Sequence, residues 1–239
     1  MLRRLLRHVD AAAAVSRETG AELAVLAPDL AERIRIVPNP VLAQGTMGDG
    51  HAAAPWLDDG VPTLLGVGRL VLQKDFATLV EAFALVAAMR PARLVILGEG
   101  PERAALEESV RRLGLLHRVS LPGMVADPFP AMRAAQVYVL SSRYEGMPGT
   151  LIEAMACGCP VVSTDCPGGA REILRDGALG ALVPVGDARA LAEAVLHALD
   201  APHDRAALVA RAGDFTVEAA LDPFLDVLAI AVERARRRA

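Results

Sequence analysis

The 239-residue chain is poor in several features that would mark its class. Aromatic residues make up only 3% of it, so few rings are available to stack nucleic-acid bases. Positive charge is not in excess: 25 Lys and Arg face 29 Asp and Glu, a formal net charge of −4 that argues against a general polyanion-binding surface. Lysine is almost absent, Lys74 being the only one. No apolar run approaches the ~20 residues that span a bilayer. The opening Met1-Leu2-Arg3-Arg4 does not read as a signal peptide either, because Arg7, His8 and Asp10 interrupt any apolar stretch. Cysteine is limited to Cys157, Cys159 and Cys166. An odd number without secretory context predicts reduced thiols in a cytoplasmic protein. Cys-x-Cys spacing without a second ligand pair predicts no metal site.

What is present is apolar and small. The hydrophobic fraction is 53%, much of it Ala, which suits closely packed helices. Two basic clusters sit at the ends: Arg3, Arg4 and Arg7, then Arg234 with Arg236, Arg237 and Arg238. Both read first as solvated termini. Contact with anionic lipid at the inner membrane face is the weaker alternative and requires the two ends to lie side by side.

Along the chain a first helical stretch leads to a short apolar strand over 12–15, a helix from Arg17 to about Ala27, and an alternating strand over 33–37 stopped by Pro38-Asn39-Pro40. Residues 43–61 lose periodicity and collect Gly, Ala, Asp and Pro, which predicts a linker. A regular rhythm follows. Short apolar runs at 63–67, 94–97, 119–121, 137–140, 161–163 and 181–183 alternate with helical segments at 76–89, 102–113, 150–157 and 188–199. This pattern predicts an α/β fold, a Rossmann-like parallel sheet with helices on both faces. A final helix over about 217–238 carries Leu221, Phe224, Leu225, Leu228 and Val232 as a stripe at helical spacing that needs a partner surface.

Ligands of open parallel sheets bind beyond the carboxyl ends of the strands, so the loops after each run matter most. The first, Gly66-Val67-Gly68-Arg69-Leu70-Val71-Leu72-Gln73-Lys74-Asp75, places two cations five positions apart before a helix. That arrangement suits a diphosphate, with a plain strand–helix turn equally open. It lacks the third Gly of the dinucleotide fingerprint and any Gly-Lys-Ser/Thr of a P-loop. The second, Gly98-Glu99-Gly100-Pro101-Glu102, allows close approach of a base or ribose but reads first as a turn, with Pro101 starting the next helix. Gly123-Met124-Val125 has the same ambiguity. In the stretch 141–158, Glu145 falls in a loop and Glu153 in the first turns of the following helix. Gly146 and Gly149 between them expose amides at the helix start. A loop carboxylate can accept hydrogen bonds from sugar hydroxyls and a helix carboxylate can hold a ribose, although two glutamates alone are more often surface residues.

The string Glu145-Gly146 through Leu151-Ile152-Glu153-Ala154-Met155-Ala156-Cys157-Gly158-x-Pro-Val-Val resembles the Glu-x7-Glu segment of family 4 glycosyltransferases, the group 1 domain. Gly68-Arg69-Leu70 with Gln73-Lys74-Asp75-Phe76 is similar to that family's diphosphate loop, and Leu97-Gly98-Glu99-Gly100-Pro101 to its next loop. Residues 163–174, with Cys166-Pro167-Gly168 and Glu172-Ile173, resemble a subgroup's Cys-Pro-x-Gly-x-x-Glu-Ile segment, and Asp176-Gly177 with Gly180 its following turn. The resemblance covers about 63–199 in the family's order.

It implies the C-terminal half of a GT-B fold: a donor-binding domain over 62–215, a crossover helix over 216–239, a 43–61 linker, and in 1–42 a remnant of a second, acceptor-side α/β domain. It also implies retaining sugar transfer from a nucleotide-diphosphate donor, expected to be UDP-linked, with no metal and no cofactor. Arg69 and Lys74 would then meet the leaving diphosphate, Glu145 the donor sugar and Glu153 the ribose. Gly68, Gly98, Met124, Gly146, Met147, Pro148, Gly149, Thr150 and Leu151 would line the donor site. The acceptor would be a saccharide or lipid-linked hydroxyl in polysaccharide or glycolipid synthesis. The other expected partners are a separate N-terminal half, or a second copy joined through the last helix, and no nucleic acid. The alternative expectation is a non-catalytic nucleotide-sugar-binding fragment of a split gene or a mis-called start. A phosphorylase would need a lysine for pyridoxal phosphate, and Lys74 already fits the diphosphate loop. An epimerase does not combine the two glutamates with the Cys-Pro segment.

Overall fold

The computed structural model describes residues 5, 6, 8–43 and 60–238. Most of the expected linker, and Arg3, Arg4 and Arg7, lie outside them. The chain first builds a small parallel layer. β1 (Ala12–Ala14) pairs with β2 (Ile34–Ile36), and α1 (Arg17–Leu26) with a 3-10 turn (Pro28–Arg33) connects them. Ser16 caps α1, its hydroxyl accepting the Thr19 N–H at 3.2 Å. Gly20 is buried where α1 crosses the strands; a Cβ there would come within 2.7 Å of the Ile36 side chain.

From Thr63 onward the predicted alternation becomes a six-stranded, wholly parallel sheet in the order β5-β4-β3-β6-β7-β8. Its strands are β3 (Thr63–Val67), β4 (Arg93–Leu97), β5 (Val119–Gly123), β6 (Val137–Leu140), β7 (Val161–Thr164) and β8 (Ala181–Val183). Successive strand residues enter opposite cores, as the period of two requires. Leu65, Val95, Tyr138 and Leu140 pack on one face beneath α4 (Phe129–Ala134), α5 (Gly149–Ala156) and α8 (Arg205–Ala212). Leu64, Leu94, Val137 and Val139 pack on the other, beneath α2 (Phe76–Met89), α3 (Arg103–Arg112) and α7 (Ala188–Asp200). With both faces covered, the central strands read as unbroken apolar runs.

Three short helices had no clear periodic signal: α4, α8 and α6 (Ala170–Ile173). α3 begins at Arg103, so Pro101 and Glu102 belong to the preceding turn rather than to the helix. The last helix, α9 (Val217–Arg238), lies against β2 and β1. The two passages between the layers are stitched together, Val41 and Leu42 N–H donating to Phe215 O and Val217 N–H to Leu42 O. The α9 stripe remains about half exposed, from 46% at Leu228 to 51% at Leu221. No described helix is long and apolar enough to cross a membrane.

Candidate active site

Strand order runs outward in one direction from β3 and in the other from β6, so the loops after these two neighbours open a crevice at the carboxyl edge. The β3 loop is bound to the β4 loop. Gly68 N–H donates to Leu97 O at 2.9 Å, and Leu70 N–H to Glu99 O at 2.8 Å. The two backbones are so close that a Cβ on Gly98, whose φ is +151°, would lie 1.9 Å from Gly68 O. Glycine is required there for close approach. Arg69 projects from this loop, exposed, and its side chain bonds to no other described residue. Six residues on, Asp75 takes a left-handed φ of 46° and is buried.

The β6 loop lies directly across. Lys74 Nζ donates to Glu145 Oε1 at 2.5 Å, and Ser142 Oγ donates to the same oxygen at 2.6 Å. The Lys74 and Glu145 side chains are only 16% and 7% exposed. Neighbouring bonds hold the two loops together. Ser141 Oγ donates to Lys74 O at 2.8 Å, Arg143 N–H to Gln73 O at 2.8 Å, and Arg143 Nε to Asp75 Oδ2 at 3.0 Å. The Glu145 backbone is fixed from the far side by segment 166–169. Its N–H donates to Pro167 O at 2.9 Å, and a Cβ on Gly168, with φ +119°, would lie 1.9 Å from Glu145 O.

Helix α5 then starts at Gly149, after Pro148. The N–H groups of Gly149 and Thr150 donate to no other described residue and present the positive end of the helix to the crevice. Thr150 Oγ1 accepts the Tyr138 hydroxyl at 2.6 Å, and burial raises the pKa of that tyrosine. Glu153, one turn in, has its carboxyl pKa raised by burial. All three cysteines are buried and free. Burial pushes their thiols up, to about 11 at Cys157 and Cys166 and about 12 at Cys159.

The expected residues therefore occupy distinct places. Gly68, Arg69, Lys74, Glu145, Gly146 and the Pro148–Thr150 turn surround the crevice. Met124, 82% exposed, stands after the edge strand β5, beyond β4. Met147 is largely buried. Leu151 departs from the expectation of a lining residue. Its side chain is fully buried in the core and its N–H donates to Pro148 O at 3.1 Å, so it supports the turn from beneath. Sequence reasoning assigned no role to Ser141, Ser142, Asp75, Arg143 or Gly168. Short hydroxyls just before a loop carboxylate are the one local signal that could have indicated the serines. Among the described residues no group of three or more His, Cys, Asp or Glu converges as a metal-ligand set.

A strand-order reversal with cations, glycine turns and a helix N-terminus at its carboxyl edge is the arrangement by which α/β domains of the doubly wound class present a phosphate-binding edge. The chain belongs to the glycosyl transferases group 1 family, which it matches over residues 61–201. It is 36% identical over 173 residues to the lipopolysaccharide core biosynthesis glycosyltransferase LpsE of Rhizobium meliloti, covering 70% of this chain and 50% of that one. Its fold is that of a GT-B glycosyltransferase. A glycosyltransferase from Rickettsia africae superposes with a TM-score of 0.80 at 19% identity, over 92% of this chain and 63% of that one. HepE from Anabaena, solved in complex with UDP, superposes with a TM-score of 0.70 at 22% identity, over 97% and 64%. The chain spans half or less of the length of the curated relatives it matches, 50% of LpsE and as little as 14% of another.

Proposed function

We propose that this chain forms the donor side of a retaining glycosyltransferase. It would take a hexosyl or N-acetylhexosaminyl group from a nucleotide-diphosphate donor, UDP-linked as in the HepE complex, for transfer to an acceptor hydroxyl in polysaccharide or glycolipid synthesis. Such work would be done in the cytoplasm, at the inner membrane face where the acceptor is lipid-linked. The observation that carries this reading is the Lys74–Glu145 contact in the crevice, with Arg69 open beside it and the free amides of α5 nearby.

The chemical problem is a departing diphosphate and an electron-poor anomeric carbon. Arg69, Lys74 and the Gly149 and Thr150 amides meet the negative charge that grows as the glycosidic C–O bond breaks. When the diphosphate enters, Lys74 exchanges the Glu145 carboxylate for phosphate oxygen. Glu145, still held by Ser142, is then released to accept hydroxyls of the donor sugar. Glu153 accepts the ribose hydroxyls. Glu145 is assigned to placement of the sugar rather than to covalent attack, so the paired-carboxylate scheme of glycosidases does not apply.

The test is calorimetric titration with UDP in the presence of a chelator. Binding should persist without divalent metal, and Arg69→Ala and Lys74→Ala should each weaken it by roughly 1.5–3 kcal/mol, the worth of a charge-assisted contact. Metal-dependent binding, or unchanged affinity in both variants, would overturn the assignment. A second reading, a module that binds the donor and transfers nothing, shares this site. A radiolabelled-donor assay with saccharide and lipid acceptors separates the two readings, because acceptor positioning is worth roughly 7–11 kcal/mol and its lack leaves transfer negligible.

A further inference from the structure

Segment 166–169 has two sides. One supports the backbone of Glu145. The other meets the start of α1, where Gly168 N–H donates to Glu18 Oε2 at 2.7 Å and Arg17 N–H to Glu172 Oε2 at 2.8 Å. Beside this contact lies an open cleft of about 420 Å³ between α1, α6 and α8, and four of its lining side chains are arginines: Arg17, Arg171, Arg175 and Arg211.

The four are not equivalent. Arg211 is held rigidly, donating to Ile173 O at 3.0 Å, Glu172 O at 2.8 Å and Asp214 Oδ2 at 2.7 Å. Arg171 is clamped by Asp165. Arg17 and Arg175 are different. Among the described residues they form only loose ion pairs, Arg17 with Glu172 at 3.7 Å and Arg175 with Asp214 at 3.6 Å, and neither guanidinium donates a hydrogen bond to another described residue. Arg175 is also displayed by an unusual turn, in which it and Asp176 take φ of 49° and 56° in succession, a costly conformation for two non-glycine residues. The carboxylates of Glu18 and Glu172 are engaged by the two backbone N–H groups named above. Two fixed guanidiniums thus form a floor, and two loosely paired ones, 86% and 61% exposed, stand over it beside the Asp176 carboxylate.

We propose that this cleft docks a phosphate group carried by the acceptor, one loop away from Glu145. The proposal rests on the donor reading above. It follows from Arg forks matching tetrahedral oxyanions bidentately, and from the donor's own diphosphate being assigned to Arg69 and Lys74 across segment 166–169. The acceptor class is then a phosphorylated saccharide or a lipid-linked phosphate, the anion anchoring it while its hydroxyl reaches the anomeric carbon.

The test saturates the protein with UDP and titrates glycerol 3-phosphate, with glycerol as the uncharged control. A parallel arm floats the protein with phosphatidylcholine vesicles with and without phosphatidate. Saturable binding in either arm is expected, and the arm that responds identifies a soluble or a lipid source. Arg17→Gln, and Arg175→Asn, which keeps a residue tolerant of left-handed φ, should each lower that affinity about tenfold, one charge-assisted contact. UDP affinity should be unchanged in both. Loss of UDP binding in the wild type would sink the donor reading instead, so the two failures are distinguishable. Absence of phosphate binding in both arms with UDP bound, or variants that melt earlier yet bind phosphate as before, would show a structural ion network and overturn the proposal.

Discussion

Lys74 and Glu145 stand 71 residues apart in sequence, yet their side chains meet at 2.5 Å, and both are mostly shielded from water. The one lysine of the chain is thereby matched to the loop carboxylate beside it, and neither is left as an unpaired buried charge.

That pairing makes a prediction for stability. Glu145→Ala strips Lys74 of its counter-charge in a largely buried place and should lower unfolding free energy by on the order of 3 kcal/mol. Adding Lys74→Ala should recover part of the loss, because the double variant no longer buries a lone charge. Chemical denaturation of the four members of the cycle measures this. Strict additivity would mean that the two side chains do not interact in solution.

Glu153 gives a prediction in pH. Burial raises its carboxyl pKa above the ordinary 4.5, so the folded protein holds that proton more tightly than the unfolded chain. Its contribution to stability is fully present below the unfolded pKa and is lost as pH rises through the folded one. At neutral pH the ionised carboxylate is therefore a net cost, and Glu153→Gln should raise the melting temperature there. Below the carboxylate range the variant and wild type should melt alike. The same variant should bind UDP more weakly, since the ribose loses an anionic acceptor. Equal melting temperatures at neutral pH would contradict the burial argument.

The thiols give a third. With values pushed up to about 11 or 12, Cys157, Cys159 and Cys166 hold almost no thiolate at neutral pH, and burial denies reagents access. Ellman's reagent should titrate none of them in the native protein and all three in denaturant. A thiol that reacts at native conditions would mean that α5 or segment 166–169 opens readily.

Much of the fold was legible along the chain because its information is local. Apolar runs with helical segments between them specify strands and amphipathic helices, and the expected strands at 63–67, 137–140 and 181–183 coincide with β3, β6 and β8. Glycines before helices marked the loops that meet at the crevice, and the two glutamates with Arg69 and Lys74 were visible as residue types at fixed spacing. The short helices α4, α6 and α8 were not, since one or two turns carry too little periodicity to stand out.

Neighbourhood in space is a different matter. Spacing alone does not say that β3 lies beside β6. Sheet order follows from how crossover helices pack on both faces, and that adjacency brings Lys74 to Glu145. Leu151 shows the same limit in reverse: its place in the family string suggested a lining residue, whereas the helical phase of α5 sends it into the core. The contacts of Glu18 with Gly168 and of Arg17 with Glu172, spanning 150 and 155 residues, arise only once the two layers dock. Hydrophobic periodicity is written residue by residue, but partners for charged groups are chosen by packing, and packing is a property of the whole chain.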